Sequence, residues 1–150
     1  MSEDRIERET LIAASPARVW SLVTQPGFWV SEAEDAALSG AVAKEGETTV
    51  AKNAEYGDFP VHVEKVEPLS YVAYRWASAF PGEGLREGNS TLVEFTLTPE
   101  GDSTRLRVVE SGFAALAGSE ELRAKAHEDN TGGWPQVLDA LRARAERRAE

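Results

Sequence analysis

At 150 residues, 41% of them apolar and 28% charged, the chain reads as one globular domain, 1–150, large enough to bury a core without staples. It has no cysteine, which excludes disulfides and thiolate metal or redox chemistry; its two histidines, His62 and His127, are too few for a multi-histidine metal site. A formal charge of −10 speaks against nucleic acid and anionic membrane as partners, since both are bound through basic surfaces.

No apolar run reaches membrane length and no signal peptide is legible, so membrane insertion is not expected and a cytoplasmic location is. Residues 5–12 alternate weakly and end in Leu11-Ile12, which predicts a first strand. Ser15-Pro16 starts a helix, with serine as N-cap and proline in the first turn; Val19, Trp20 and Val23 give it an apolar face. Gln25-Pro26-Gly27 ends it. After Phe28-Trp29 comes an acidic, alanine-rich run, residues 31–38, expected as a second short helix or a lid-like loop.

The next signals are strands and turns. Residues 48–56 form a strand candidate closed by Gly57-Asp58, and residues 59–66 form another, ended by Glu67-Pro68. Residues 71–76 are rich in β-formers. A long polar connection follows, from Phe80 to Asn89. Residues 91–98 and 104–110 read as a hairpin turning through Pro99-Glu100-Gly101-Asp102, and Ser111-Gly112 breaks the pattern.

Ser119, followed by Glu120 and Glu121, opens the C-terminal helical region. Gly132, Gly133 and Pro135 weaken its middle, predicting one long kinked helix or a short helix breaking into a longer one. Over residues 133–146, Trp134, Val137, Leu138, Leu141 and Ala145 form an apolar stripe. Gln136, Asp139, Arg142, Arg144 and Glu146 are assigned to the water-facing side. Arg142, Arg144, Arg147 and Arg148 read as cations at the negative end of the helix dipole. Strands grouped together before a helix, rather than alternating with helices, indicate α+β with an antiparallel sheet.

Alternation sorts the strand residues into faces. Val93, Phe95 and Leu97 share one side of their strand, and Leu106, Val108 and Glu110 share one side of the next; Val72, Tyr74 and Trp76 are the apolar set of residues 71–76. Glu110 is out of place in an inward row, because a buried carboxylate is costly unless paired. It is expected at a rim, beside an arginine, or in a wet cavity. Arg75 and Arg107 fall on the other face, which leaves Arg123 as the arginine candidate.

For chemistry the sequence offers little. Trp29, Tyr56, Tyr74, Trp76 and Trp134 suit an apolar pocket that orients a ligand by one or two hydrogen bonds, although each also serves simply as core filling, Trp134 above all. A carboxyl at Glu110 held among apolar side chains has a raised pKa, suited to a general acid or to a donor toward a ligand carbonyl. His62, on the same side as Glu64, reads as an exposed pair more readily than as a general base. His127 lies in a polar stretch and is expected in solvent. No nucleophile–base pair, metal cluster or cofactor-binding motif is present; Gly82-Glu83-Gly84 is too short for a dinucleotide site. No catalytic residue, metal or cofactor is therefore assigned.

Three motifs carry a resemblance. They are Ala14-Ser15-Pro16-Ala17-Arg18-Val19-Trp20, the run from Thr104 to Phe113, and the helix opened by Gly133-Trp134. In this order and spacing the chain resembles the START-like, or SRPBCC, superfamily across essentially its whole length. Within it, the chain is most similar to the family named after the activator of the ninety-kilodalton heat-shock-protein ATPase. The resemblance implies a helix-grip fold: a curved antiparallel sheet wrapped around a long C-terminal helix, with two short helices after the first strand. It also implies an apolar cavity between sheet and helix. Residues 31–47 depart from the family pattern at the expected cavity entrance. The function expected is binding of a small hydrophobic molecule, lipid or polyketide-like, without catalysis. A polyketide cyclase or aromatase and a chaperone-linked interaction module are the alternatives, and homodimerisation stays open.

Overall fold

Six antiparallel strands form one sheet: the second to the sixth follow one another as neighbours, and the sixth lies beside the first. The computed structural model describes residues 5–29, 44–53, 57–77 and 88–146. In chain order these contain β1 (Arg5–Ile12), α1 (Pro16–Val23), a single turn α2 (Pro26–Trp29), β2 (Thr48–Asn53), β3 (Gly57–Glu67), β4 (Tyr71–Trp76), β5 (Thr91–Glu100), β6 (Ser103–Ser111), a 3₁₀ turn (Phe113–Ala115) and α3 (Glu120–Ala145). This is the helix-grip arrangement that the family resemblance implied, with the sheet curved over α3.

Local chemistry accounts for most of the boundaries. Ser15 caps α1 by accepting from the Arg18 N–H at 3.3 Å, and Pro16 occupies the first turn. Ser119 does the same for α3 toward Leu122 at 3.1 Å, with Glu120 and Glu121 in the first turn and Arg142 and Arg144 in the last. The β5–β6 hairpin is tighter than expected: Glu100 pairs with Ser103, leaving Gly101 and Asp102 as its turn, with Gly101 at φ 62°. Gly57 does not close a strand; it begins β3, opposite Asn53. The rest of that predicted strand, residues 54–56, the acidic run 31–38 and most of the 80–89 connection lie outside the described residues.

The inward sheet face is the predicted one. Val72, Tyr74, Val93, Phe95, Leu97, Leu106 and Val108 are buried on it, and they pack with Val19, Leu22 and Val23 of α1 and the Trp134 stripe of α3. The outer face carries ion pairs instead. Arg105 bridges Glu100 at 2.5 Å and Glu9 at 3.2 Å, Arg107 reaches Glu7, and Arg75 lies 3.7 Å from Glu64. Such exposed pairs contribute little stability each.

α3 runs as one continuous helix through Gly132, Gly133 and Pro135. A clasp fixes its C-terminal end to the start of the chain. The Arg18 guanidinium donates to the carbonyls of Arg144 (2.8 Å) and Ala145 (3.3 Å), and Glu146 accepts from the Ala13 N–H at 2.9 Å. These partners satisfy backbone groups that a helix end leaves open. The water-facing assignment of Arg144 is corrected: it is buried, with its guanidinium 5.6 Å from the centre of the Phe28 ring. Position 144 lies three and seven residues beyond Leu141 and Val137, so helical spacing places it on the inward stripe despite its charge. No helix among the described residues is long and apolar enough to cross a membrane.

Candidate functional site: a buried carboxyl among indoles

Strand register brings three side chains from three strands to one inward patch. Trp76 on β4 lies opposite Thr91 on β5, and Glu110 on β6 lies opposite Val93, two residues from Thr91 and so on the same face. α3 lowers Asn130 and Trp134 onto that patch, which their spacing of four residues places on one helix face. Glu110 is completely buried at the centre. Its Oε1 accepts from Trp134 Nε1 at 2.8 Å and Asn130 Nδ2 at 2.9 Å; its Oε2 accepts from Thr91 Oγ1 at 2.5 Å and Trp76 Nε1 at 2.9 Å, with Asn130 Nδ2 3.0 Å away.

The carboxyl is thus neither at a rim nor beside an arginine, and every partner is electrically neutral. Arg123 turns instead to the carbonyls of Leu116 and Gly118, at 3.2 and 2.8 Å. Burial pushes the Glu110 pKa up, while the Thr91, Trp134, Trp76 and Asn130 donors pull it down; burial is the larger effect. In the protonated form the acid hydrogen needs an acceptor. An indole N–H and an amide NH₂ only donate, so Thr91 Oγ1 is the natural one.

Around the carboxyl stands an aromatic cluster with Trp29 at its middle. The Trp29 ring lies 5.3 Å from Tyr74, 5.3 Å from Trp76, 5.5 Å from Phe95 and 5.8 Å from Trp134, centre to centre. Phe59 extends the cluster beyond Trp76. These tilted and edge-on contacts add about 0.5–1.5 kcal/mol each beyond the burial of area. Tyr74 donates its hydroxyl to the Val23 carbonyl at 2.5 Å, tying β4 to the end of α1, and burial raises its pKa strongly. The Trp29 N–H faces that phenol and works against this rise, but finds no acceptor within the distance and angle of a hydrogen bond. It is the one buried side-chain donor without a partner among the described residues.

Of the six residues singled out from the sequence, five therefore meet in one place: Trp29, Tyr74, Trp76, Glu110 and Trp134. Tyr56 lies outside the described residues. Thr91 and Asn130 were missed. Asn130 sits in a polar stretch, yet its position four residues before Trp134 was a usable signal. His127, expected in solvent, is half-buried for the same reason: seven residues before Trp134, it sets its ring 5.2 Å from Phe113, with Nε2 3.2 Å from the Arg5 carbonyl. His62 behaves as expected of a surface pair, with Nδ1 2.9 Å from Thr48 Oγ1 and Nε2 3.8 Å from Glu64. Among the described residues no group of three or more histidines and acids is placed to hold a metal.

Solved structures share this fold. A protein of Mesorhizobium loti superposes with a TM-score of 0.67 at 22% identity, over 93% of this chain and 94% of its own. The Aha1 dimer from Colwellia psychrerythraea gives 0.62 at 18%, over 93% and 97%. DynU16, a protein of the dynemicin biosynthetic locus, gives 0.68 at 24%, over 93% of this chain and 46% of its own. No curated protein matches the sequence. The family model described as Activator of Hsp90 ATPase homolog 1-like protein matches residues 13–146, and this chain, with its helix-grip fold, belongs to that family.

Proposed function

We propose that this protein binds one small, uncharged, hydrophobic molecule with a lipid-like or polyketide-like skeleton, between the sheet and α3, without altering it chemically. The observation that carries this reading is the Trp29 N–H, buried among four other aromatic rings without an acceptor. Leaving such a donor unmet costs about 1–3 kcal/mol, and a ligand that brings a carbonyl oxygen recovers it. The neighbouring donors are already engaged: Trp76 and Trp134 on Glu110, Tyr74 on Val23. A ligand with an acceptor and no acidic group therefore suits the site. An anion is disfavoured by the net charge of −10. The fold neighbour from a biosynthetic locus leans the same way.

On this reading Glu110 organises the walls rather than touching the ligand. Both its oxygens face protein donors, so proton transfer to a substrate, as a cyclase would require, first has to break one of those bonds. A protein-interaction role calls for a continuous exposed apolar patch. The exposed large apolar residues among those described, Leu11, Val50 and Leu69, lie on β1, on β2 at the opposite sheet edge, and in the β3–β4 turn.

The test is calorimetric titration with a ketone, an alcohol and a carboxylic acid of one hydrophobic skeleton, on wild type and Trp29→Phe. The ketone should bind most tightly, and Trp29→Phe should lose about five- to tenfold of that preference, the worth of one hydrogen bond. Equal binding of all three probes, or a preference untouched in Trp29→Phe, overturns the role of Trp29. No binding of any probe overturns the reading itself.

A further inference from the structure

The two halves of α3 are anchored very unequally. Of its buried residues, all but Ala126 lie at or beyond Trp134: Trp134, Val137, Leu138, Ala140, Leu141, Arg144 and Ala145. The half before them is held by Ala126, by the His127 ring against Phe113 and by polar tethers that include Asn130 on Glu110 and His127 on the Arg5 carbonyl. The Arg123 bonds tie its first turn to the carbonyls of Leu116 and Gly118 in the segment that leads into the helix, and opening of this half breaks the bond to Leu116, which is buried in the core.

Between the halves stands Gly132-Gly133-Trp134-Pro135. Neither glycine adopts a left-handed conformation, and a Cβ added at either would meet nothing within 4 Å. Packing and backbone conformation in this closed state therefore do not require glycine, which is unfavourable in a helix interior relative to alanine. Pro135 has no N–H to give the Thr131 carbonyl, so this turn also lacks one helical hydrogen bond. Two unneeded glycines and a missing bond fall at the boundary between a firmly and a weakly anchored half.

The geometry points to a hinge at Gly132 and Gly133, about which residues 120–131 swing off β1 and the 3₁₀ turn as a lid, with Asn130 as its latch on Glu110. Opening uncovers the Glu110 carboxyl and the indole edge of Trp134 from the side that Asn130 now closes. The hinge does not depend on which ligand the site takes. Detached from the sheet, a helix of about 12 residues is marginal in water, so the lid and hinge amides exchange with solvent as one unit.

Hydrogen exchange read by mass spectrometry on wild type, Gly132→Ala/Gly133→Ala and Asn130→Ala tests this. In wild type, amides 123–134 should exchange faster than amides 137–145. The double alanine variant, which the open space around both glycines accommodates, should slow exchange over 123–134 by about tenfold, equivalent to about 1.4 kcal/mol. Amides 137–145 should be unchanged, and Asn130→Ala should speed exchange over 123–134. Three results would overturn the hinge: equal slowing of both halves, which is global stabilisation; no slowing of the lid, which is fraying from Ser119; or a wild-type lid as protected as the C-terminal half.

Discussion

Replacing Glu110 with glutamine tests the buried site at its centre, because the change keeps the shape and alters only which atoms donate. The glutamine NH₂ must take the place of one carboxyl oxygen. At Oε1 it faces the Trp134 N–H; at Oε2 it faces the Trp76 N–H. Thr91 can turn its hydroxyl to accept, and Asn130 can present its amide oxygen, but neither indole can. One indole N–H therefore loses its acceptor in either orientation, a cost of about 1–3 kcal/mol. Urea unfolding at a series of pH values measures it and adds a sign. Burial raises the folded-state pKa of Glu110 above 4.5, so the folded chain holds this proton more tightly than the unfolded one. Its contribution is then fully present below pH 4.5 and is lost as pH rises through the folded pKa, at up to about 1.4 kcal/mol per pH unit. Glutamine has no such dependence. The stability gap between wild type and Glu110→Gln should accordingly be widest in acid and narrow as pH rises above 4.5. A gap that widens with pH would refute the reasoning, since it would mean that the four donors outweigh burial and hold the carboxyl ionised.

Other perturbations probe the frame around the site. Trp134→Ala removes a buried ring and a Glu110 partner and should cost about 3–5 kcal/mol in chemical denaturation; a loss below about 1 kcal/mol would displace this residue from the core. Arg18→Ala strips two carbonyls at the end of α3 of their donor and should lower stability by about 1–2 kcal/mol, with faster amide exchange confined to the last turn and α1. Leu69 is the one non-glycine residue with positive φ among the described residues, at 68°, and is half exposed, so Leu69→Gly should raise the melting temperature through a net gain of about 0.5–1 kcal/mol.

Much of the architecture was legible because it rests on local signals. Serine caps at 15 and 119, a β-rich run at 71–76 and a tryptophan-headed stripe from 134 each mark their element without tertiary help. The inward identity of Glu110 was legible too, from alternation alone. Its partners were not, because they depend on register across three strands. That Trp76 faces Thr91, two residues from the partner of Glu110, follows from how β4, β5 and β6 pair, and no composition encodes it. In α3, spacing and not polarity decides which residues face inward. Arg123, His127, Asn130, Trp134, Leu141 and Arg144 follow one another at helical intervals. The stripe continues inward through its polar members, which then need partners: Phe28 for Arg144, Phe113 and the Arg5 carbonyl for His127, Glu110 for Asn130.

Native mass spectrometry of the protein purified from its own host, under conditions that keep it folded, bears most directly on whether the helix–sheet interface is a binding site. The expected spectrum carries one added mass per chain, from an uncharged hydrophobic molecule bearing a carbonyl-type oxygen, and that mass is reduced in Trp29→Phe. Only the bare chain mass, unchanged after incubation with a lipid and small-molecule extract of the host, would contradict the account and leave the indoles and Glu110 as a polar core with no guest.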